Sequence, residues 1–147
     1  MESRLLRIGW IVMLILGVYW FLGSIYWLVA LVPGMTEFEQ TAGQSWESFV
    51  AANTPAVADW AKMALVLHGI TLIAYAVLVI PITLYAYRRG QKWSWYTLLA
   101  SGLIYHLGML IHHIITGANL SIPIIGLVLL VIALAVPAKD ILTQKSS

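Results

Sequence analysis

The sequence contains no cysteine, so disulfides, cysteine-held iron–sulfur clusters and thiol chemistry are excluded. Charge is almost as scarce. Charged residues make up 10% of the 147-residue chain, where ordinary globular proteins carry about 25%, so there are too few to cover a water-facing surface. Hydrophobic residues reach 61%, a composition suited to membrane as solvent. Four long apolar segments contain no Asp, Glu, Lys or Arg. Ion-coupled transporters, proton pumps and voltage sensors work through such groups, so their absence argues against those classes. A glycine-rich phosphate loop and an HExxH pair are also missing. Glu37 and Glu39 are separated by one residue, which on a helix points them apart. No catalytic set emerges, and the chain reads as a non-enzyme.

What is present is length of apolar helix. A bilayer core of about 30 Å needs roughly 20 apolar helical residues. Segments 8–32, about 63–87, about 93–115 and about 120–138 meet or approach that requirement. The expected fold is an all-α membrane protein, a single domain over 1–147 forming a four-transmembrane-helix bundle. The first segment is 25 residues without a charge, longer than the about 7–15 residues of a signal h-region, and it reads as a retained span. Pro123 is tolerable near the start of the fourth segment, where an amide is not needed. Pro81, late in the second, should kink or loosen its last turns.

Charge gives a direction. Arg4 and Arg7 precede the first segment, Arg88, Arg89 and Lys92 lie between the second and third, and Lys139 and Lys145 follow the fourth. If the spans alternate, these residues share one side, and both termini are expected in the cytoplasm. Glu37, Glu39, Glu47 and Asp59 fall on the other side, with Lys62 at its lip. Trp93, Trp95, Tyr96, Tyr85 and Tyr87 at the inner turn, and Trp27 and Trp60 at the outer ends, suit the headgroup level. Trp10, Tyr19 and Trp20 lie deeper and are assigned to packing.

The outer loop, about 33–61, contains Trp46, Phe49 and Val50 at i, i+3, i+4 spacing, which predicts a short amphipathic helix. That helix could lie on the membrane surface, or cover an outward-facing cavity or partner site. Thr54-Pro55 reads as an N-cap with proline at the first helical position, starting the helix that runs into the second span. The acidic residues of this loop argue against nucleic acid as a partner.

Chemistry is concentrated in YHLGMLIHHIITG, residues 105–117, which holds three of the four histidines. His106 and His113 share a helical stripe with Met109 or Leu110, and His112 lies at its margin. At about 1.5 Å per residue, His68 lies about 9 Å below Lys62, His106 about 15 Å below Thr116, and His112 and His113 about 5–6 Å below it. An imidazole from each of the second and third spans could therefore meet. His68, His106, His112 and His113 are candidate ligands for copper, favoured by the methionine, or for haem b. The opposing reading makes them structural, with His112 and His113 marking the exit into the interface. His106 lies too deep for that. Its candidate polar surroundings are Thr71, Tyr75, Ser101 and Tyr105, with Gly102 and Gly108 allowing close approach. Gly9, Gly17 and Gly23 in the first span read likewise as close-packing positions.

The segment YAYRRGQKWSWY (85–96) resembles the cytoplasmic turn of small prokaryotic four-span membrane proteins with a basic-basic-Gly-x-basic-Trp-x-Trp run. TAGQSWESFVAANTP (41–55) is similar to the outer loop of the same group, and the likeness covers about residues 33–100. The resemblance implies four spans, a helical outer loop and a prokaryotic cell membrane. It brings no assigned activity and no catalytic residue.

The leading expectation is a non-enzymatic integral membrane protein without a cofactor. It would serve as an accessory subunit, or as a small bundle binding a lipid or apolar ligand between its helices. Partners would be the lipid bilayer, other membrane subunits or further copies of the chain. An outer-leaflet haem b or copper protein is the alternative, and a small transporter or channel the third.

Overall fold

The computed structural model describes residues 3–30 and 32–143 and is all-helical among them. Helix α1 runs Arg4–Ala30, α2 Val32–Ala42, α3 Trp46–Ala52, α4 Pro55–Tyr85, α5 Lys92–Thr116, α6 Ser121–Ala135 and α7 Ala138–Leu142. A short 3-10 turn, Tyr87–Arg89, joins α4 to α5. Among the described residues, α1, α4 and α5 are long and apolar enough to cross a membrane. Helix α6 is apolar but has 15 residues, so it rises only about 22 Å.

Helix α1 occupies the centre. It packs along α4 on one side and α6 on the other, and α6 packs against α5. Helices α4 and α5, although joined by a tight turn, meet over a shorter stretch. Each long helix turns a stripe at helical spacing toward its neighbours. In α1 the stripe includes Leu6, Met13, Leu16, Trp20 and Ser24; in α5 it is Ser94, Leu98, Gly102, His106 and His113. Ile15, Val29, Ile104, Ile115 and Ile125 face outward instead, which is the pattern of helices that expect an apolar solvent.

Glycine sets how closely these helices approach. A Cβ on Gly9 would lie 2.5 Å from Pro137 Cγ and 2.8 Å from the Ala133 carbonyl. One on Gly102 would lie 2.6 Å from Leu130 Cδ1. Gly9, Gly17 and Gly102 are therefore contact points, as expected from small residues at helix crossings. Gly23 and Gly108 are not: nothing lies within 4 Å of a Cβ built at either.

The fourth apolar segment ends earlier than its composition suggests. The helix breaks after Ala135 because Pro137 has no amide to give to the Ala133 carbonyl. In an apolar setting such a carbonyl needs another donor. The Tyr87 hydroxyl supplies it, donating to Ala133 O at 2.6 Å. The Trp95 indole donates to the next carbonyl, Leu134 O, at 2.9 Å. These two aromatics, expected at the headgroup level, instead close the end of a neighbouring helix. Tyr87 is fully buried, whereas Tyr85, Trp93 and Tyr96 are exposed.

The same end gathers the basic segments. Ser3 hydrogen-bonds Asp140, joining the start of α1 to α7, and Arg88 sits 5.2 Å over the Trp10 ring. At the other end, α4 starts as expected after Thr54, whose carbonyl takes the Val57 and Ala58 amides. Pro81 is accommodated within α4, which continues to Tyr85. Where one short loop helix is expected, there are two. Helix α3 is capped by Ser45, whose hydroxyl accepts from the Ser48 amide. Phe38 of α2 packs edge-on against Trp46 and Phe49 of α3, with ring centroids at 5.2 and 4.9 Å.

Replacing Tyr87 by Phe should strand the Ala133 carbonyl and remove about 1–3 kcal/mol of stability. Thermal unfolding in mild detergent checks this. Trp95→Phe should act in the same direction, while Tyr85→Phe, at a ring 69% exposed, should leave the midpoint unchanged.

Candidate functional site

At the end of the bundle opposite the basic turn, α1, α4, α5 and the α5–α6 connection diverge around a cavity of about 740 Å³. That lies inside the range of small-molecule sites, about 300–1,000 Å³. Its floor is Trp20 with Leu72, and its wall along α1 is Tyr19, Leu22, Tyr26 and Trp27. Tyr19, Gly23 and Tyr26 recur at i, i+4, i+7, so one face of α1 presents an aromatic groove with a gap at Gly23. Met109 and Ile122 supply more apolar surface. Polar atoms come from His68, His113 and Asn119 and, from α2, Thr36 and Gln40. Among the described residues, no Lys, Arg, Asp or Glu lines the cavity.

The wall is fixed by specific contacts. Trp27 donates its indole N–H to Leu65 O at 3.0 Å, and its ring lies 5.1 Å from that of His68. Gly69 makes room, since a Cβ there would come within 2.9 Å of Trp27 Cδ1. Beneath the floor, His106 is fully buried. Its Nδ1 faces Gly102 O at 2.8 Å, so that nitrogen carries the proton. Its Nε2 accepts from the Trp20 indole at 3.4 Å. A notch at Gly126 holds the ring, because a Cβ there would lie 2.8 Å from His106 Cδ2 and 3.3 Å from Trp20 Cζ2.

The proposed polar neighbours of His106 therefore separate. Thr71 donates to Leu67 O and His68 O, and Ser101 to Thr97 O, all within their own helices. Tyr75 and Tyr105 do join α4 to α5, but by stacking at 4.0 Å with planes 7° apart. Both pack edge-on to His106, and neither buried hydroxyl has a hydrogen-bond partner among the described residues. The partner from another helix is Trp20, which sequence reasoning left to packing.

The remaining histidines also divide. His112 is exposed, whereas its neighbour His113 is 6% exposed. His113 places Nδ1 at 2.8 Å from Asn119 O, across the turn that Gly117 allows by adopting a φ of +71°. His68 meets His112 across α4 and α5 with ring centroids 5.9 Å apart and planes at 32°. Met109 joins these two around a smaller cavity of about 280 Å³.

That donor set tests the metal readings. Among the described residues, no group of three or more His, Asp or Glu is gathered to hold a metal ion. Two imidazoles and a thioether lack the fourth ligand of a structural zinc site, but they match the soft preference of copper(I). His106 is poorly placed to join them, since a metal at Nε2 would displace the Trp20 bond.

Sequence reasoning missed the α1 wall, Gln40 and Asn119. The signal for the wall was present: Tyr19-Trp20 and Tyr26-Trp27 are aromatic pairs seven residues apart around a glycine. A test separates packed glycine from open glycine. Gly126→Ala should overpack against the pinned His106 ring and lose about 1–3 kcal/mol. Gly23→Ala, facing open space, should be neutral or gain by about 1 kcal/mol from better helix propensity. Unfolding midpoints of the two variants report the difference.

Among known proteins, the chain matches no family model, no curated protein and no solved structure.

Proposed function

We propose that this chain is a four-span integral protein of a prokaryotic cell membrane, with both termini cytoplasmic, that binds an apolar molecule between its helices. The single observation carrying this reading is the cavity of about 740 Å³, walled by aromatic and aliphatic side chains with its polar groups confined to a few positions. In the proposed orientation the cavity opens in the outer leaflet, and α2 and α3 form a partial cover with their aromatics at the headgroup level. Helix α6 serves as the fourth span. Its shortness is met by local thinning of the bilayer and by the continuing turn into α7. The contacts among Ser3, Asp140, Arg88 and Trp10 support a common cytoplasmic face for the basic segments. The role is non-enzymatic: carriage or sensing of the ligand, or its presentation to a larger membrane subunit.

Binding can be tested on protein extracted with mild detergent. Native mass spectrometry and solvent extraction should find an apolar molecule bound near one per chain. Gly23→Phe, placing a ring where a Cβ meets nothing within 4 Å, should fill the cavity and abolish retention while unfolding remains cooperative. Equal retention by the variant would reject the cavity as the site.

A second reading is favoured by one observation, the His68–His112 approach beside Met109. It makes this end of the bundle a copper(I) or haem b site. Stoichiometric copper or a Soret band that disappears in His68→Ala would support it; colourless, metal-free protein after copper(I) loading would reject it.

A further inference from the structure

Resting on the cavity-binding reading, we infer that the apolar ligand carries one quaternary ammonium group, held among the rings of Tyr19, Trp20, Tyr26 and Trp27. These residues stand four and three positions before Gly23, and three and four after it. On a helix those are the surface neighbours of a single position. All four line the cavity, and so does Gly23. A Cβ built on Gly23 meets nothing within 4 Å, so the space over it is open. At about 1.5 Å per residue, the two aromatic pairs lie about 10 Å apart along α1. A group seated over Gly23 is then about 5 Å from the level of either pair, inside the roughly 6 Å reach of a cation over an aromatic ring. The tryptophans are held in place, since Trp20 donates to His106 Nε2 and Trp27 to Leu65 O. The tyrosines stay open, Tyr19 at 49% and Tyr26 at 59% exposed. A headgroup-level aromatic belt accounts for one pair only, because the other lies about 10 Å deeper.

Charge selects the ligand class. Among the described residues no Lys or Arg lines the cavity, so nothing there repels a cation. The helices at this end carry Glu39, Glu47 and Asp59 against Lys62, and their field favours a positive group over an anion. No Asp or Glu lines the cavity either. An ammonium or guanidinium bearing N–H groups would therefore leave water without a carboxylate to pair with, which is costly. A quaternary ammonium has no N–H to satisfy, and aromatic faces are the surface that recognises it. A phosphate beside it, as in a choline phospholipid, would bring an anion with no basic partner in the lining. The ligand is thus an amphiphile of single positive charge, its hydrocarbon lying along Leu22, Leu72, Met109 and Ile122.

The experiment titrates three probes of equal chain length into the full-length protein in nanodiscs free of choline lipids. They are octyltrimethylammonium, its uncharged isostere with carbon in place of nitrogen, and octylphosphocholine. Bound radiolabelled probe is counted after equilibrium dialysis, and uptake by protein-free nanodiscs is subtracted. The ammonium probe should bind about tenfold more tightly than the isostere, and more tightly than the phosphocholine. Tyr19→Leu combined with Tyr26→Leu should weaken the ammonium probe about tenfold and leave the isostere unchanged. Tyr19→Phe combined with Tyr26→Phe keeps the rings and should keep the preference. If the leucine pair does not fold, the wild-type comparison decides alone. Equal binding of ammonium and isostere would overturn the inference and leave the cavity reading standing. So would phosphocholine binding as tight as that of the ammonium, or a preference that survives in a folded leucine pair. Failure of all three probes to bind, with retention by Gly23→Phe no different from wild type, would reject both.

Discussion

The hydrogen bond from the Trp20 indole to His106 is the constraint around which the bundle is arranged. It ties α1 to α5 across the helix that separates them, and Gly126 of that helix provides the notch through which the two rings meet. The energy of one 3.4 Å contact is small. Its geometric consequence is larger, because His106 is already held from the other side by Gly102 O. With both nitrogens engaged, the ring cannot rotate without leaving a buried polar atom unpaired. On the basic-turn side of this level the interior is full: Met13, Leu16, Val79, Leu98 and Leu130 are at most 1% exposed. On the other side the helices diverge and the large cavity begins. Trp20 thus belongs both to the packed core and to the lining of the candidate site.

The opposite end is held by a different device. Pro137 ends α6 early, and Tyr87 of the α4–α5 turn and Trp95 of the first turn of α5 return two donors to the carbonyls left behind. The bend also brings Pro137 against Gly9, so the α1–α6 crossing and the helix break are one feature. This explains why the YRRGQKWSWY segment places aromatics so close to its basic residues. The basic side chains suit a cytoplasmic face, whereas Tyr87 and Trp95 serve the interior. Charge sidedness and helix closure occupy the same dozen residues without competing for the same atoms.

Much of this was legible in the sequence, for identifiable reasons. Composition and uncharged length gave the apolar helices, because lipid leaves few alternatives for the backbone. Thr54-Pro55 marked the start of α4, and Trp46 and Phe49 marked α3. The depth comparison placed His68 between His106 and the His112–His113 pair, and His112 is the one it meets. Three things were not legible. The end of α6 depended on what Pro137 would do, and periodicity cannot distinguish a kink from a stop. The partner of His106 depended on packing order, since chain order suggests α4 as neighbour while α6 and α1 supply the contact surface. Gly23 and Gly17 look alike in sequence, yet one faces a cavity and the other faces Val79 and Ile80.

His112 and His113 show how little sequence separates two environments. Both lie within a turn of the end of α5, and depth alone assigns both to the interface. Helical rotation of about 100° per residue separates them. His112 turns toward α4, where His68 and Met109 give it company suited to a soft metal. His113 turns under the α5–α6 connection, where Asn119 fixes its tautomer and its ring lines the cavity. The difference lies less in the residue than in what the glycine turn at Gly117 brings over it. A chain with no charged group in its apolar segments has few ways to recognise anything except by shape. A single imidazole of fixed tautomer at the end of an aromatic groove adds directionality without the expense of burying a charge.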